Sequence, residues 1–281
     1  MTFNLPDREV ITDFSVAEVE QHRDRPSLVT LYLSGSESSA LDMNDPEYLE
    51  FEYMQQFRAV IDSVFTGREA LRALHLGGAG CAFARALDAG HPGSRQLVSE
   101  IDAKLAKYVR EWFDLPPSPR LRIRVQDARE TLDTTQATWD VIVRDAFVNQ
   151  DVPAHLRTLE VAERASQILS ERGIFLLNSV ASTGLKRFNS QAAQLLHCFP
   201  HVLGIIDPSV LRGRRYGNLV LAASHSEFPV ALIDRAVRRL PLPARIVSQK
   251  DLEKRAKGAV VFHDADIPGF LIEDDETSHD S

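Results

Sequence analysis

Short apolar runs alternate with segments of helical spacing from residue 71 onward, and this alternation constrains the fold more than any other feature. Strands that are separated by helices pair in parallel and are covered by those helices on both faces. The sequence therefore predicts an α/β domain with a doubly wound, mostly parallel seven-stranded sheet. The predicted strands are residues 71–76, 96–101, 121–125, 140–145, 174–177, 201–207 and 219–223.

The connections between the later strands are less regular. Residues 155–170 predict one long helix, which Gly173 would end. The last two strands have no predicted helix between them, so they are expected to form an antiparallel edge. Ahead of the sheet, Asp45 and Pro46 are predicted to start a helix that carries Tyr53.

Three parts of the chain are predicted. Residues 1–50 form a small N-terminal β region, in which two apolar runs split by Asp24, Arg25 and Pro26 predict a β-hairpin and residues 34–39 a polar loop. Residues 51–245 form the doubly wound domain. Residues 246–281 are peripheral, and their last nine residues carry five acids and no lysine or arginine, which predicts a disordered tail.

Composition points to a soluble protein without a metal or nucleic-acid site. Of the 281 residues 44% are apolar and 26% charged, and no signal peptide or membrane-length apolar run is present, so a cytoplasmic location is expected. Cys81 and Cys198 give no disulfide framework. His197 and His201 have metal-ligand spacing, but Pro200 interrupts the helix between them. The net charge of −8 comes mostly from the tail and leaves no basic footprint for nucleic acid.

Ligands of open α/β sheets bind beyond the carboxyl ends of the strands, where four groups of candidate residues fall. The first is the turn containing Gly77, Gly78 and Gly80. Such a turn lets the backbone approach a ligand at a helix N-terminus, and it is also typical of a tight strand–helix connection. The second is Glu100, 20 residues after Gly80. An acid at this offset accepts hydrogen bonds from ribose hydroxyls, and the alternative is a surface acid or helix cap.

The third and fourth groups follow the next two strands. Asp127 and Ala128 can meet the amino edge of adenine, and Asp127 can also cap the following helix. Asp145 ends the very apolar fourth strand, where it can act as a general base, hold an ammonium group or bond to loop backbone. Cys81 opens the helix after the glycine turn, and a small packed residue is favoured there over a reactive thiol. Together these residues predict an adenosine-type ligand.

Read in order, these segments resemble the spermidine synthase family of aminopropyltransferases, in particular its bacterial spermidine synthase-like branch. The family shares the Rossmann-like fold of class I S-adenosylmethionine-dependent methyltransferases. The resemblance covers residues 50–225 and implies that Glu100 binds ribose, Asp127 binds adenine and Asp145 deprotonates the attacking amine. It also implies a substrate contact for Tyr53 and a homodimer. The matching segments are Leu76-Gly77-Gly78, Ser99-Glu100-Ile101-Asp102, Gln126-Asp127-Ala128, Trp139-Asp140-Val141-Ile142-Val143-Arg144-Asp145 and Pro153-Ala154.

The chain departs from the family pattern in the half of the site that binds amines. Gly80 stands where the family has an aspartate for the aminopropyl ammonium, and Val148 stands where it has a second aspartate for the amine substrate. Its Tyr-His-Glu motif reads Tyr53-Met54-Gln55. Burying the two charges of a diamine without carboxylates costs several kcal/mol each. The nucleoside half of the site is therefore expected to be kept, and the polyamine half to be largely lost.

Three hypotheses follow, in this order. The first is aminopropyl transfer from decarboxylated S-adenosylmethionine to a polyamine such as putrescine. The second is a methyltransferase that uses S-adenosylmethionine, because Gly80 in place of an acid would relieve repulsion with the donor carboxylate. The third is a nucleoside-binding module without catalysis. The small-molecule partners would be an S-adenosylmethionine-type nucleoside as co-substrate and an amine, with no metal.

Overall fold

A computed structural model describes residues 3–148, 151–180, 185–212, 217–242 and 244–268. Its strands are β1 (Val10–Ile11), β2 (Val16–Gln21), β3 (Leu28–Leu33), β4 (Ser36–Asp42), β5 (Arg72–Leu76), β6 (Arg95–Glu100), β7 (Leu121–Val125), β8 (Trp139–Arg144), β9 (Leu169–Val180), β10 (His201–Ile206), β11 (Asn218–Ser224) and β12 (Arg245–Val247). Its helices are α1 (Glu52–Val64), α2 (Ala82–Gly90), α3 (Ala103–Trp112), α4 (Ala128–Thr134), α5 (Leu159–Ile168), α6 (Lys186–Cys198), α7 (Pro208–Leu211), α8 (Val230–Val237) and α9 (Gln249–Ala256).

The main sheet has the strand order β12-β10-β11-β9-β8-β5-β6-β7. Strands β5 to β9 run parallel, as the alternation of strands and helices predicts. The sheet turns back on either side of β5, because the chain passes from β5 to β6 and β7 on one side and to β8 and β9 on the other. This reversal places the carboxyl ends of β5 and β8 beside each other, and the mostly parallel α/β fold is confirmed.

The antiparallel end of the sheet differs in detail from the sequence prediction. Strands β10 and β11 do pair antiparallel, but β11 lies between β10 and β9 and is not an edge. The edge is an eighth strand, β12, which pairs with β10. Helix α9 follows and contacts α6 and β10. Residues 245–256, most of which were predicted to be peripheral, therefore extend and cover the main sheet.

The N-terminal region is a four-stranded antiparallel sheet in the order β1-β2-β3-β4. The predicted hairpin is present as β2 and β3. The prediction of a polar loop over residues 34–39 was wrong, because Ser36 onward forms β4. Ser34 and Gly35 both have positive φ (49° and 78°), which is the requirement of a two-residue hairpin turn, and Ser36 pairs with Leu33.

Two helix predictions were also wrong at their ends. Helix α1 begins at Glu52 rather than at Asp45, since Asp42 accepts hydrogen bonds from the Asn44 and Asp45 amides and holds that segment as a turn. The predicted helix over residues 155–170 is a 3-10 turn followed by the shorter α5. Strand β9 begins directly after α5, where its first residue pairs with Trp139 of β8.

Hydrophobic cores lie on both faces of the main sheet. Along β8, Val141 and Val143 face one core together with Phe57 of α1, whereas Ile142 faces the other together with Phe188 of α6. Side chains alternate between the two faces of a strand, so a strand buried on both faces is continuously apolar. The apolar run that identified β8 in the sequence therefore reflects its central position.

No helix in the described part of the chain is both long and apolar enough to cross a membrane. The acidic tail over residues 273–281 lies outside the described residues.

Candidate active site

The glycine-rich turn joins β5 to α2 and lies against the residues that follow β8. Gly77 has φ +97°, and a Cβ atom there would lie 2.6 Å from the Asp145 carbonyl oxygen. A Cβ atom at Gly78 would lie 2.3 Å from Cγ1 of Val98. Both glycines are therefore required by the close packing of the turn against its neighbours.

Gly80 is covered by the N-terminal sheet. Its amide donates to Oγ of Ser39 at 2.9 Å, and a Cβ atom at Gly80 would lie 2.7 Å from Cβ of Ser39. The next residue, Cys81, is buried, and burial raises the pKa of its thiol to about 12. The thiol therefore stays protonated at neutral pH, in agreement with a packed residue rather than a nucleophile.

Glu100 links the end of β6 to the glycine turn. Its Oε2 accepts a hydrogen bond from the Ala79 amide at 3.0 Å, and its Oε1 accepts one from the Asp102 amide at 3.1 Å. Burial raises the pKa of Glu100, while these amides oppose the rise. Each carboxylate oxygen keeps a lone pair for a further donor, so the group can still accept hydrogen bonds from two hydroxyls.

Asp127 caps α4, which confirms the capping interpretation. Its carboxylate accepts from the Arg129 amide at 2.7 Å, and Oδ2 lies 3.0 Å from Nε2 of His155. Although burial raises the pKa of Asp127, the hydrogen bond and charge of His155 hold it below the ordinary value. Ala128 is buried as the first residue of α4. His155 has no feature in the sequence that would mark it as a site residue.

Asp145 lies directly after β8, where two side chains hold its carboxylate. The Tyr53 hydroxyl donates to Oδ2 at 2.8 Å, and Nδ2 of Asn178 donates to Oδ1 at 2.9 Å. Burial raises the pKa of Asp145, and these two hydrogen bonds and the Arg144 charge moderate the rise. Tyr53 packs edge-on against Phe57, which fixes the hydroxyl. The structure thus brings together Tyr53 and Asp145, two residues predicted separately.

Arg144 is a buried cation behind this carboxylate. It is 1% exposed, and its Nη2 donates to the Asn178 carbonyl at 2.6 Å. Burial lowers the pKa of Arg144 to about 9. An arginine directly after the apolar run Val141–Val143 was a signal in the sequence, and it would have drawn attention to this side of the site. Asn178 had no comparable signal.

The glycine turn and Asp145 enclose a small cavity. A cavity of about 40 Å³ lies between the glycine turn and Asp145, and Ser38, Met54 and His75 contribute to its walls. Val148 is 60% exposed and forms a short bridge with Asp151. Within the described ranges, no group of three or more histidine, cysteine or acidic residues is placed to hold a metal.

Solved structures and curated proteins resemble this chain. A Corynebacterium glutamicum protein named "probable spermidine synthase" has 35% identity and a TM-score of 0.85, over 91% of this chain and 95% of that chain. The Thermotoga maritima spermidine synthase has 18% identity and a TM-score of 0.60, over 91% and 85% of the two chains. Human methyltransferase-like protein 13 has 18% identity and a TM-score of 0.53, over 73% and 90%. The last two establish similarity of fold only.

Two curated polyamine aminopropyltransferases match part of the chain. The protein from Vibrio vulnificus is 25% identical over 170 residues, and the protein from Chromobacterium violaceum is 27% identical over 168. Each match covers 59% of this chain, and 56% and 62% of the respective relatives, so it spans little more than half of their length. No family model matches the sequence. From its identity to the Corynebacterium structure over nearly the whole length of both, the chain belongs to the spermidine synthase family.

Proposed function

We propose that the protein is a transferase that moves the aminopropyl group of decarboxylated S-adenosylmethionine to a polyamine such as putrescine. Family membership and the names of the curated relatives support this proposal over the two alternatives. The observation that carries it is the Asp145 carboxylate, held by Tyr53 and Asn178 beside the glycine turn.

The nucleoside is proposed to bind along the carboxyl ends of β5, β6 and β7. Glu100 would accept the ribose hydroxyls, and Asp127 with Ala128 would meet adenine. The glycines at 77, 78 and 80 would let the backbone approach the nucleoside closely. The position of Glu100 supports this arrangement, because its carboxylate accepts a hydrogen bond from the Ala79 amide and so lies against the glycine turn.

Asp145 is proposed as the general base. The unprotonated amine nitrogen attacks the carbon next to the sulfonium, and a new C–N bond forms as the C–S bond breaks. The sulfur takes the bonding pair, methylthioadenosine leaves, and the excess proton of the amine passes to Asp145. A carboxylate whose pKa is raised by burial is better matched to this proton transfer than a fully exposed one.

Asn178 supports the position of the amine. Its amide nitrogen faces Asp145, and its Oδ1 is buried without a hydrogen-bond partner among the described residues. A buried acceptor without a partner costs free energy, which a donor N–H would recover. We propose that the attacking amine donates to both Asp145 and Asn178, with the Tyr53 hydroxyl fixing the carboxylate.

The test is methylthioadenosine release, measured by chromatography after incubation with putrescine and decarboxylated S-adenosylmethionine. We expect turnover by the natural chain and a loss of about 100-fold or more in Asp145→Asn, as for removal of a general base. Asp24→Asn makes the same change at an exposed turn residue and should retain full activity. The proposal fails if the natural chain releases no methylthioadenosine. Production of S-adenosylhomocysteine from S-adenosylmethionine would instead identify a methyltransferase.

We further propose a cytoplasmic homodimer. Cys81 and Cys198 are both unpaired, which fits a reducing compartment. Ile11 and Phe14 are 75% and 69% exposed on the N-terminal β region, which supports a contact with a second copy there. Light scattering should give twice the chain mass, and Phe14→Ser should shift it toward the monomer.

A further inference from the structure

A second cavity, here named the basic groove, lies away from the glycine turn. It has a volume of about 530 Å³ and lies among the start of α6, the end of α9 and residues 257–262. No acidic side chain is among the described residues that line it, and none of those residues lines the cavity beside Asp145. Its walls carry five cationic side chains: Arg157, Lys186, Arg187, Arg255 and Lys257.

Most of these cations form no close ion pair, although the charge of Asp151 acts on Arg157 and that of Asp251 on Arg255. Arg187 pairs with Asp151, whereas the other four form no ion pair within the described ranges. The Nε atom of Arg157 is buried without a hydrogen-bond partner there. Burial lowers the pKa of Arg157, the charge of Asp151 opposes this effect, and the charge of Arg187 adds to it. Five cations around one cavity repel each other, which is unusual in a chain whose net charge is −8.

A sixth cation lies behind the wall of the basic groove. Gln191 lines the groove, and its Oε1 accepts a hydrogen bond from Nη2 of Arg144 at 3.4 Å. Arg144 is almost fully buried, and within the described ranges it forms no ion pair and its Nε has no hydrogen-bond partner. The charges of Arg144 and Arg157 are close enough to act on each other. A further cation, whose charge Asp145 partly offsets, therefore lies behind the Gln191 wall of the groove.

We propose that the basic groove binds a small multivalent anion of the phosphate class, either a free phosphate or pyrophosphate or a phosphate ester. Guanidinium groups match the geometry of phosphate oxygens with paired hydrogen bonds, and the lysines add charge. The volume is within the usual range of small-molecule sites. A polyamine or a sulfonium nucleoside is excluded by the sign of the charge, so this ligand is distinct from both substrates of the proposed reaction.

Titration calorimetry at low ionic strength tests the proposal, with inorganic phosphate, pyrophosphate and ATP as probes of the full-length chain. We expect one pyrophosphate per chain. The double variant Arg157→Gln/Arg255→Gln should weaken its binding about tenfold or more, because two charge-assisted hydrogen bonds are removed. The control Arg122→Gln/Arg124→Gln makes the same charge change on exposed residues of β7 and should bind normally. Thermal unfolding verifies that both variants fold.

Four results would overturn the proposal. The first is no binding of any probe at millimolar concentration, and the second is equal weakening in both double variants, which indicates a general field effect. The third is ATP binding that methylthioadenosine displaces while pyrophosphate does not bind, which assigns the anion to the nucleoside site. The fourth is that a peptide of residues 273–281 displaces pyrophosphate at a lower concentration than inorganic phosphate does. None of these results depends on turnover, so failure here is distinguishable from failure of the aminopropyltransferase proposal.

Discussion

The hydrogen bond from Tyr53 to Asp145 gives the sharpest test of the proposed base. In Tyr53→Phe the carboxylate loses the donor that lies 2.8 Å from Oδ2, while the ring and its packing remain. The bond favours the charged form of Asp145 only, so its loss raises the pKa of Asp145. The base acts as a carboxylate, and the acid limb of the pH profile of kcat/KM therefore moves to higher pH.

The size of the shift follows from the geometry. A hydrogen bond to a charged group contributes about 1.5–3 kcal/mol, and one pKa unit corresponds to about 1.4 kcal/mol, which gives about 1–2 units. Asp145 is half-buried, so water can replace part of the lost interaction and we expect about 1 unit. Because the pKa of this half-buried acid is higher in the folded than in the unfolded chain, the free energy of unfolding falls as pH rises from the unfolded pKa, about 4, through the folded pKa.

The pH profile is measured by methylthioadenosine release, and a carboxyl ¹³C titration reports the pKa of Asp145 without turnover. Tyr48→Phe is the matched control, since the Tyr48 hydroxyl donates to the exposed Glu50 carboxylate. It should leave both curves unchanged. A shift in Tyr53→Phe below about 0.3 unit would refute the assignment of Asp145 as the titrating base.

Three further predictions concern the turn, the core and the nucleoside site. Gly77→Ala should lower the free energy of unfolding, measured in urea, by about 3 kcal/mol or more, because φ is positive and the new Cβ would overlap the Asp145 carbonyl. Gly35→Ala, where φ is +78° and the surrounding space is open, should lower it by about 1–2 kcal/mol. Equal costs would contradict the packing argument. Burial lowers the pKa of His75 to about 4 from 6.5. Below about pH 6.5 the unfolded chain therefore binds a proton at His75 that the folded chain does not bind, and the free energy of unfolding decreases as pH falls. Between about pH 7 and about pH 5 the natural chain should lose about 2 kcal/mol more than His75→Gln, while the exposed-site variant His22→Gln should lose as much as the natural chain. Glu100→Gln should weaken methylthioadenosine binding about tenfold or more in calorimetry, and an unchanged Kd would remove Glu100 from the ribose site.

The parallel part of the fold was predictable because its signals are local. A central strand such as β8 carries a continuous apolar run from Val141 to Val143, and a glycine turn followed by a helix marks its neighbour β5. The antiparallel end was less predictable. Strand β11 lies between β9 and β10, and no local sequence pattern shows which strands it pairs with. The polar residues of β4 predict a loop, because nothing in the local sequence shows that Ser39 is covered by the distant glycine turn.

The candidate site shows the same division. The positions of Glu100, Asp127 and Asp145 at strand ends were predictable from the apolar runs before them, and their roles stay predictions. Asn178 was not, because a polar residue late in a long strand reveals nothing until β9 is placed next to β8. His155 depends in the same way on a turn that brings it to Asp127.

The contact between Ser39 and Gly80 limits the order in which this site can change. An aspartate introduced by Gly80→Asp would place its Cβ 2.7 Å from the Ser39 side chain, so that single step is blocked. Ser39→Gly removes the two nearest atoms and gives up one hydrogen bond to the turn, which leaves Cε2 of Phe113 at 3.2 Å to move by a few tenths of an ångström. An acid at position 80 therefore requires the substitution at position 39 to come first. Substitutions at two residues 41 positions apart in the chain are therefore expected to be energetically coupled.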